Sequence, residues 1–223
     1  MMIQLYDCEN DIVFSDEYIN VLEIQNKKLF MKYVNILYGK ELTEELRLLE
    51  SEKEVNISNC VTVYSDFFNL ELNDRKVLNK LYQHIEMSID VEIKELFNVE
   101  LVKVKEVVEK IVESYDLDLI ISDTISFGEI ARAIDLKINY EGKSLLEILL
   151  VVLDLESELS ISKVLVFINL KLYLNNEELE ELYKYSKYKK INILLIDSMC
   201  YGTTLKYEKK LIIDEELVEF VLQ

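Results

Sequence analysis

Two uninterrupted apolar segments of strand length, Val164–Ile168 and Ile191–Ile196, constrain the fold of this chain more than any other feature. Neither segment alternates apolar with polar residues, which is typical of strands covered on both faces, as in a parallel sheet. Between them a helix is predicted to begin near Asn176, with Leu179 and Leu182 on its inner side. Strand, helix and strand together have the length of a βαβ unit. The segment therefore predicts an α/β fold built on a parallel sheet.

Further strands are predicted at both ends of the chain and helices in its middle. Residues 74–89 and 93–111 carry apolar residues at helical spacing, and we expect these two helices to pack against each other. We therefore expect an α/β sheet domain formed by residues 1–73 and 161–223, with residues 74–160 inserted as a largely α-helical lobe. The additional strands are predicted at Ile3–Tyr6, Asp11–Phe14, Val21–Ile24, Val61–Tyr64 and Lys210–Ile213.

Two more helices are expected from local signals. Thr43 is a good N-cap residue, and Glu45 would lie in the first turn of the helix that it begins. A last helix is expected after the strand at Lys210–Ile213.

The apolar and cysteine content predicts a soluble, cytoplasmic protein. The most apolar run, Leu145–Leu155, is interrupted by two acidic residues and is too short to span a bilayer, so we expect a core helix. The three cysteines are widely spaced and form no CxxC pair, and no signal peptide precedes them, which favours reduced thiols in a reducing compartment.

Charge is distributed unevenly along the chain. The 25 basic and 43 acidic residues give a net charge of −18, which excludes a uniformly basic nucleic-acid binder. However, residues 182–210 hold seven lysines against two acidic residues, a local net charge of +5. Such a segment can bind phosphate locally. The alternative is a solvated helix C-terminus, where lysines complement the helix dipole. Lys27 and Lys28 on the first helix can likewise be either phosphate-binding residues or ordinary surface residues.

The sequence contains few of the residues and motifs on which catalytic sites are commonly built. It has four glycines and one histidine, and it contains no GxSxG, HExxH or zinc-binding spacing. The sequence Glu141-Gly142-Lys143-Ser144 ends like a phosphate-binding P-loop, but the position of the first glycine is occupied by Lys137. We therefore interpret it as a surface turn before a helix capped by Ser144.

Carboxylates are concentrated between residues 116 and 129. Oxygen-rich groups of this kind can bind calcium, although the spacing is not that of an EF-hand loop. In so acidic a chain, chance clustering is the default interpretation.

Three segments resemble one known family. The first is residues 21–34 (VLEIQNKKLFMKYV), and the second is residues 65–74 (SDFFNLELND) followed by Lys76–Tyr82. The third is residues 164–169 (VLVFIN) with Leu174–Tyr183 and the strand Ile191–Ile196. Their order along the chain resembles that of the Csn-type spacer-acquisition proteins of type II-A CRISPR systems, the small ring-forming members of the adaptation machinery.

This resemblance implies a degenerate P-loop-kinase-like α/β head with an inserted helical lobe and no catalytic activity. It implies a homotetrameric ring that encircles linear double-stranded DNA and binds its ends, in concert with the spacer integrase proteins and the effector nuclease. It also implies calcium ions, for which Asp118, Asp123 and Glu129 are the candidate ligands. The candidate DNA-binding residues are Lys27, Lys28, Lys184, Lys187, Lys189, Lys190, Lys206, Lys209 and Lys210.

Two other functions remain open at this point. One is a P-loop-like nucleotide-binding kinase or ATPase, and the other is an acidic protein–protein adaptor without a nucleic-acid partner.

Overall fold

The computed structural model describes residues 1–6, 8–39, 45–122 and 124–222 of the chain. The strands in this part are β1 (Met2–Leu5), β2 (Ile12–Val13), β3 (Ile19–Ile24), β4 (Leu46–Glu50), β5 (Lys53–Val55), β6 (Val61–Tyr64), β7 (Val164–Ile168), β8 (Asn192–Asp197), β9 (Glu208–Ile213) and β10 (Glu219–Leu222). The helices are α1 (Lys27–Leu37), α2 (Ile57–Cys60), α3 (Arg75–Ser88), α4 (Val91–Val112), α5 (Phe127–Ala133), α6 (Leu145–Leu159) and α7 (Asn176–Lys189), with a 3₁₀ turn at Leu170–Leu172.

The larger sheet has six strands in the order β10-β9-β3-β8-β7-β6. All of them are parallel to their neighbours except β10, which is antiparallel to β9. Strands β7 and β8 are adjacent and joined through α7, which begins with Asn175 as its N-cap. The predicted βαβ unit and the α/β class are therefore confirmed.

Apolar side chains cover both faces of this sheet. On one face, residues of β3, β7, β8 and β9 share a core with α1, where Tyr33 and Ile36 are fully buried. On the other face, Leu165 and Phe167 are equally buried, and α7 lies against β8 with α6 beside it. Burial on both faces is the reason that β7 and β8 are apolar throughout rather than alternating.

A second, antiparallel sheet has the order β2-β1-β4-β5. A short helix was expected after Thr43, with Glu45 in its first turn, but residues 46–50 form β4, which pairs with β1. Thr43, the proposed cap, lies outside the described residues. Similarly, the expected last helix is wrong, because residues 219–222 form β10.

The chain divides into two units, which we call the sheet unit (Met1–Leu70 and Tyr140–Gln223) and the helical unit (Glu71–Asn139). The helical unit is shorter than the expected lobe of residues 74–160. The difference is α6, which lies in the sheet unit beside α7 and has Leu149 and Leu153 fully buried.

In the helical unit, α3 packs against α5. The Tyr82 hydroxyl donates a hydrogen bond to the Leu136 carbonyl at 2.6 Å, and Tyr82 also lies beside Gly128. We expected the apolar residues of α4 to be buried against α3. In the single chain, however, Leu101 is the one buried residue of α4. Most of the other apolar side chains of α4 are exposed.

In the part of the chain that is described, none of the helices combines the length and the apolar character that a membrane crossing requires.

Candidate nucleic-acid interface

Six of the candidate lysines lie at or near one edge of the six-stranded sheet. Helix α7 ends just before β8 begins, so its last turn is at the amino ends of the parallel strands. Strand β9 begins opposite the first residue of β3, with Glu208 paired to Ile19, which brings the segment around residue 206 to the same edge. We call this group the basic edge; its members are Lys184, Lys187, Lys189, Lys190, Lys206 and Lys209.

Tyrosine rings support several of these lysines. The Lys187 ammonium lies 4.2 Å from the Tyr207 ring centre and donates a hydrogen bond to the Glu17 carbonyl at 2.7 Å. Lys206 lies over the same Tyr207 ring, and Lys209 lies over Tyr18. Ammonium groups held in this way are oriented by the ring quadrupole while they remain accessible to a ligand.

The lysines of the basic edge differ in how accessible they are to a ligand. Lys189 forms an ion pair with Asp154 at 2.7 Å, and Asp154 also accepts a hydrogen bond from Tyr185. By contrast, Lys184, Lys190 and Lys206 are exposed. These three lysines are therefore the strongest candidates for contact with a phosphate backbone.

Lys27 and Lys28 lie at the opposite edge of the sheet. They are exposed in the first turn of α1, which follows the carboxyl end of β3. Strand β3 has six residues, so the two edges are separated by about 20 Å. The backbone amides of Lys28 and Leu29 donate to the side chain of Asn26, which occupies the donors that a phosphate would use at this helix N-terminus.

Lys210 was predicted to bind DNA, but its side chain lies in the interior and cannot reach a ligand at the surface. Its side chain is fully buried on β9. The ammonium lies 2.8 Å from Glu23 Oε1 and donates to the carbonyls of Tyr201 and Thr203, each at 2.7 Å. A buried ammonium with these partners has no donor left for a phosphate outside.

Lys210 is part of a buried charge cluster between β3, β8, β9 and the 3₁₀ turn. The Lys171 ammonium lies 2.8 Å from Glu208 Oε1 and 3.5 Å from Glu23 Oε1. The Tyr183 hydroxyl of α7 donates to Glu208 at 2.8 Å. The cluster comprises Glu23, Lys171, Asp197, Glu208 and Lys210.

Asp197 is the unusual member of this charge cluster. It ends β8 with a fully buried side chain, and within the described residues neither of its carboxylate oxygens has a hydrogen-bond partner. Burial raises the pKa of Asp197 to about 7; the charges of Glu23 and Glu208 act in the same direction, and those of Lys171 and Lys210 oppose it. Glu23 Oε1 also lacks a well-directed hydrogen bond, although Lys210 lies close to it.

Apart from Lys210, the residues of the charge cluster were not predicted from the sequence to form a site. The available signal was a charged residue in an otherwise uncharged strand that is covered on both faces. Glu23 interrupts the buried strand β3 in this way, and Asp197 ends the apolar run of β8. Buried charges are paired or neutralised, so each of these residues predicted either a buried partner or a protonated carboxyl group.

The three candidate calcium ligands do not form a site in the described part of the chain. Asp118 lies in an exposed segment without helix or strand, and Asp123 is outside the described residues. The Glu129 carboxylate accepts hydrogen bonds from the Ser126 amide and hydroxyl at 2.8 Å each, as the cap of α5. Among the residues described, no three acidic, histidine or cysteine side chains are placed to hold one metal ion.

The sequence at residues 141–144 is a turn followed by a helix cap. Gly142 has a φ of +72°, and Ser144 begins α6 with a capping box in which the Glu147 carboxylate accepts a hydrogen bond from the Ser144 amide. Residues 136–140 form no strand. This is the surface turn that the sequence favoured over a P-loop.

We predict that Lys210 contributes to stability rather than to surface charge. Lys210→Met removes the ammonium that neutralises Glu23 and should lower the free energy of unfolding by about 3–5 kcal/mol, because it leaves a buried carboxylate unbalanced. Lys209→Met, its half-exposed neighbour on β9, should change that free energy by less than about 1 kcal/mol. Urea denaturation of both variants tests this, and equal effects would contradict the burial of Lys210.

Comparison with known proteins agrees with this architecture. The profile of the family described as CRISPR-associated protein (Cas_Csn2) matches residues 38–217. CRISPR-associated protein Csn2 of Enterococcus faecalis is 21% identical over 188 residues, which cover 83% of this chain and 85% of that protein. The crystal structure of Stu0660 of Streptococcus thermophilus has a similar fold, with a TM-score of 0.60 at 15% identity over 100% of this chain and 76% of that one. Because the family profile matches most of the chain, this protein belongs to the Cas_Csn2 family of CRISPR-associated proteins.

Proposed function

We propose that this protein binds linear double-stranded DNA without catalysis, as a homotetrameric ring that acts in CRISPR spacer acquisition. In this role it holds DNA ends for the spacer integrase proteins and the effector nuclease, as part of adaptive antiviral defence. The observation that carries the proposal is the basic edge, a group of surface lysines in a chain whose net charge is −18. The membership of the chain in a CRISPR-associated family supports it.

The basic edge suits phosphate contact better than base readout. Its lysines are point charges supported by tyrosine rings, and ammonium groups of this kind bind a phosphate backbone without reading sequence. Acidic groups are close by, since Asp16 and Glu17 precede β3 at the same edge. One copy of the basic edge is therefore expected to bind duplex DNA weakly.

Assembly of several copies would strengthen the binding of duplex DNA. Lysines from four chains facing one channel add their fields, and a narrow channel with low-dielectric walls concentrates that field. The acidic remainder of each chain would face outward and repel DNA from the outside of the ring. A ring of this kind accepts a duplex through its free end.

An exposed apolar stripe on α4 supports self-association. Ile93, Leu96, Val104, Val107 and Ile111 fall within about 80° of the helix circumference at 3.6 residues per turn. Each of them is between 54% and 60% exposed in the single chain. An apolar helix stripe of this length marks a protein–protein contact, and a second copy of the chain is the partner that the ring requires.

Calcium remains part of this proposal as an ion that stabilises the ring. Its ligands would have to be found outside the cap of α5, where the Glu129 carboxylate is already engaged by Ser126. Comparing the mass of the assembly with and without calcium tests this part separately.

Charge reversal at the basic edge should weaken DNA binding. Lys190→Glu combined with Lys206→Glu reverses two exposed charges of the basic edge. We expect it to weaken binding to a short linear duplex by about tenfold or more and to reduce the salt dependence by about one counterion per lost phosphate contact. Fluorescence anisotropy over a series of salt concentrations measures both quantities.

The matched control is Lys27→Glu combined with Lys28→Glu. It changes the net charge by the same amount, but at the opposite edge of the sheet, and should weaken binding much less. Equal losses in the two double variants would show that the effect follows from net charge alone, and would overturn the assignment of the basic edge.

A charge placed in the α4 stripe should disrupt assembly. The wild-type protein should have four times the 26.3 kDa mass of one chain. Val104→Glu places a carboxylate in the α4 stripe and should shift the mass toward smaller species, because burying an unpaired charge in an apolar contact costs several kcal/mol. Light scattering coupled to size-exclusion chromatography measures this mass.

Val102→Glu is the control for this experiment. Val102 is on the same helix, is 55% exposed against 54% for Val104, and lies about 160° around the helix from it. This variant should keep the wild-type mass. A monomeric wild-type protein, or the same mass for both variants, would contradict assembly through the α4 stripe.

A further inference from the structure

The connection from β8 to β9 crosses the sheet without any helix or strand. It consists of residues 198–207, which we call the crossover loop, and it runs from the carboxyl end of β8 to the amino end of β9. Several of its residues, including Met199, Thr203 and Lys206, are exposed. Because this segment lacks regular structure, its backbone N–H and C=O groups need hydrogen-bond partners from elsewhere in the protein.

The charge cluster supplies these contacts. Lys210 donates to the carbonyls of Tyr201 and Thr203, the Tyr201 amide donates to Glu23 at 3.2 Å, and the Leu205 amide donates to Glu208 at 3.0 Å. The Lys171 ammonium also lies 5.5 Å from the Tyr201 ring centre. Three members of the cluster thus hold the middle of the crossover loop by its main chain.

The charges of the cluster balance in one protonation state of Asp197. Glu23 and Glu208 are matched by Lys171 and Lys210, so the cluster is neutral when Asp197 carries a proton. When Asp197 is ionised, three carboxylates share two ammonium groups in the interior, where an unbalanced charge is costly. The groups that interact with Asp197 are Glu23 of β3, Lys171 of the 3₁₀ turn, Tyr183 of α7, Tyr201 of the crossover loop, and Glu208 and Lys210 of β9.

We propose that a proton on Asp197 keeps the crossover loop closed, and that its loss draws Lys171 and Lys210 toward the new carboxylate and frees the main chain of the loop. The carboxylate of Asp197 has no hydrogen bond of its own in the described chain, so an ammonium is the partner available to it once it is ionised. Lys210 cannot turn toward Asp197 and also keep both loop carbonyls, because its ammonium already donates to Tyr201 and Thr203 and lies 2.8 Å from Glu23 Oε1.

The direction of the pH effect follows from the shift at Asp197. Its pKa rises from 3.8 to about 7 on burial, so the closed form binds a proton that the open form does not hold between these values. The closed form is therefore most stable below about pH 4 and loses this stabilisation as pH rises to about 7. The loop is expected to open more often at neutral than at mildly acidic pH.

Hydrogen exchange of the Tyr201 and Leu205 amides tests the proposal in the full-length protein. After correction for the intrinsic exchange rate, their protection should fall by about tenfold or more between about pH 5.5 and about pH 7.5. The amides of β1, in the other sheet, serve as the internal reference and should not follow the same change. Protection of the two loop amides that is unchanged by pH would overturn the proposal.

Two variants test whether the proton on Asp197 is the cause of the pH dependence. Asp197→Asn has the shape of the protonated acid and should keep the loop amides protected at both pH values. Lys210→Met removes the contact to the loop carbonyls and should leave the amides poorly protected at both. If Asp197→Asn retains the pH dependence of the wild type, another group is responsible and the proposal fails.

Discussion

The parallel pairing of β3 with both β8 and β9 is the contact on which the rest of the structure depends. It joins the N-terminal part of the chain to the C-terminal part at the centre of the six-stranded sheet. It also places α1 at the carboxyl ends of the strands and the basic edge at their amino ends. The two groups of exposed lysines consequently lie on opposite sides of the sheet, although both looked equally suited to DNA in the sequence.

The same pairing creates a polar interior. Glu23 of β3 and Lys210 of β9 point to the same face, where Glu208, Lys171 and Asp197 complete the charge cluster. Of the seven lysines counted in residues 182–210, six contribute to the basic edge and one holds the crossover loop from inside. A count of charges along the chain cannot make this distinction, since it depends on which way each side chain points from its strand.

The sequence predicted much of the fold because local signals and tertiary packing agreed there. The apolar runs of β7 and β8 and the spacing of α7 required a covered parallel sheet, and Ser144 began a helix as its capping pattern indicated. The predictions failed where pairing with a distant segment decided the outcome. Strand β4 depends on β1, and β10 depends on β9.

The candidate site was predicted less completely than the fold. The lysine-rich segment was visible in the sequence, but the burial of Lys210 and the involvement of Asp197 depend on the sheet order. The α4 stripe was predicted to be buried within one chain, and in the single chain it is exposed. The pattern of a helix shows that an apolar face needs a partner, and does not show whether that partner is in the same chain.

In the proposed function, DNA passes through a ring of four chains and enters by a free end. The direct measurement is competition between a linear duplex and a covalently closed circle of the same sequence and length for binding to the wild-type protein. We expect that the linear duplex binds and that the closed circle competes poorly. Equal competition by the two forms, or binding of neither, would contradict the proposed function.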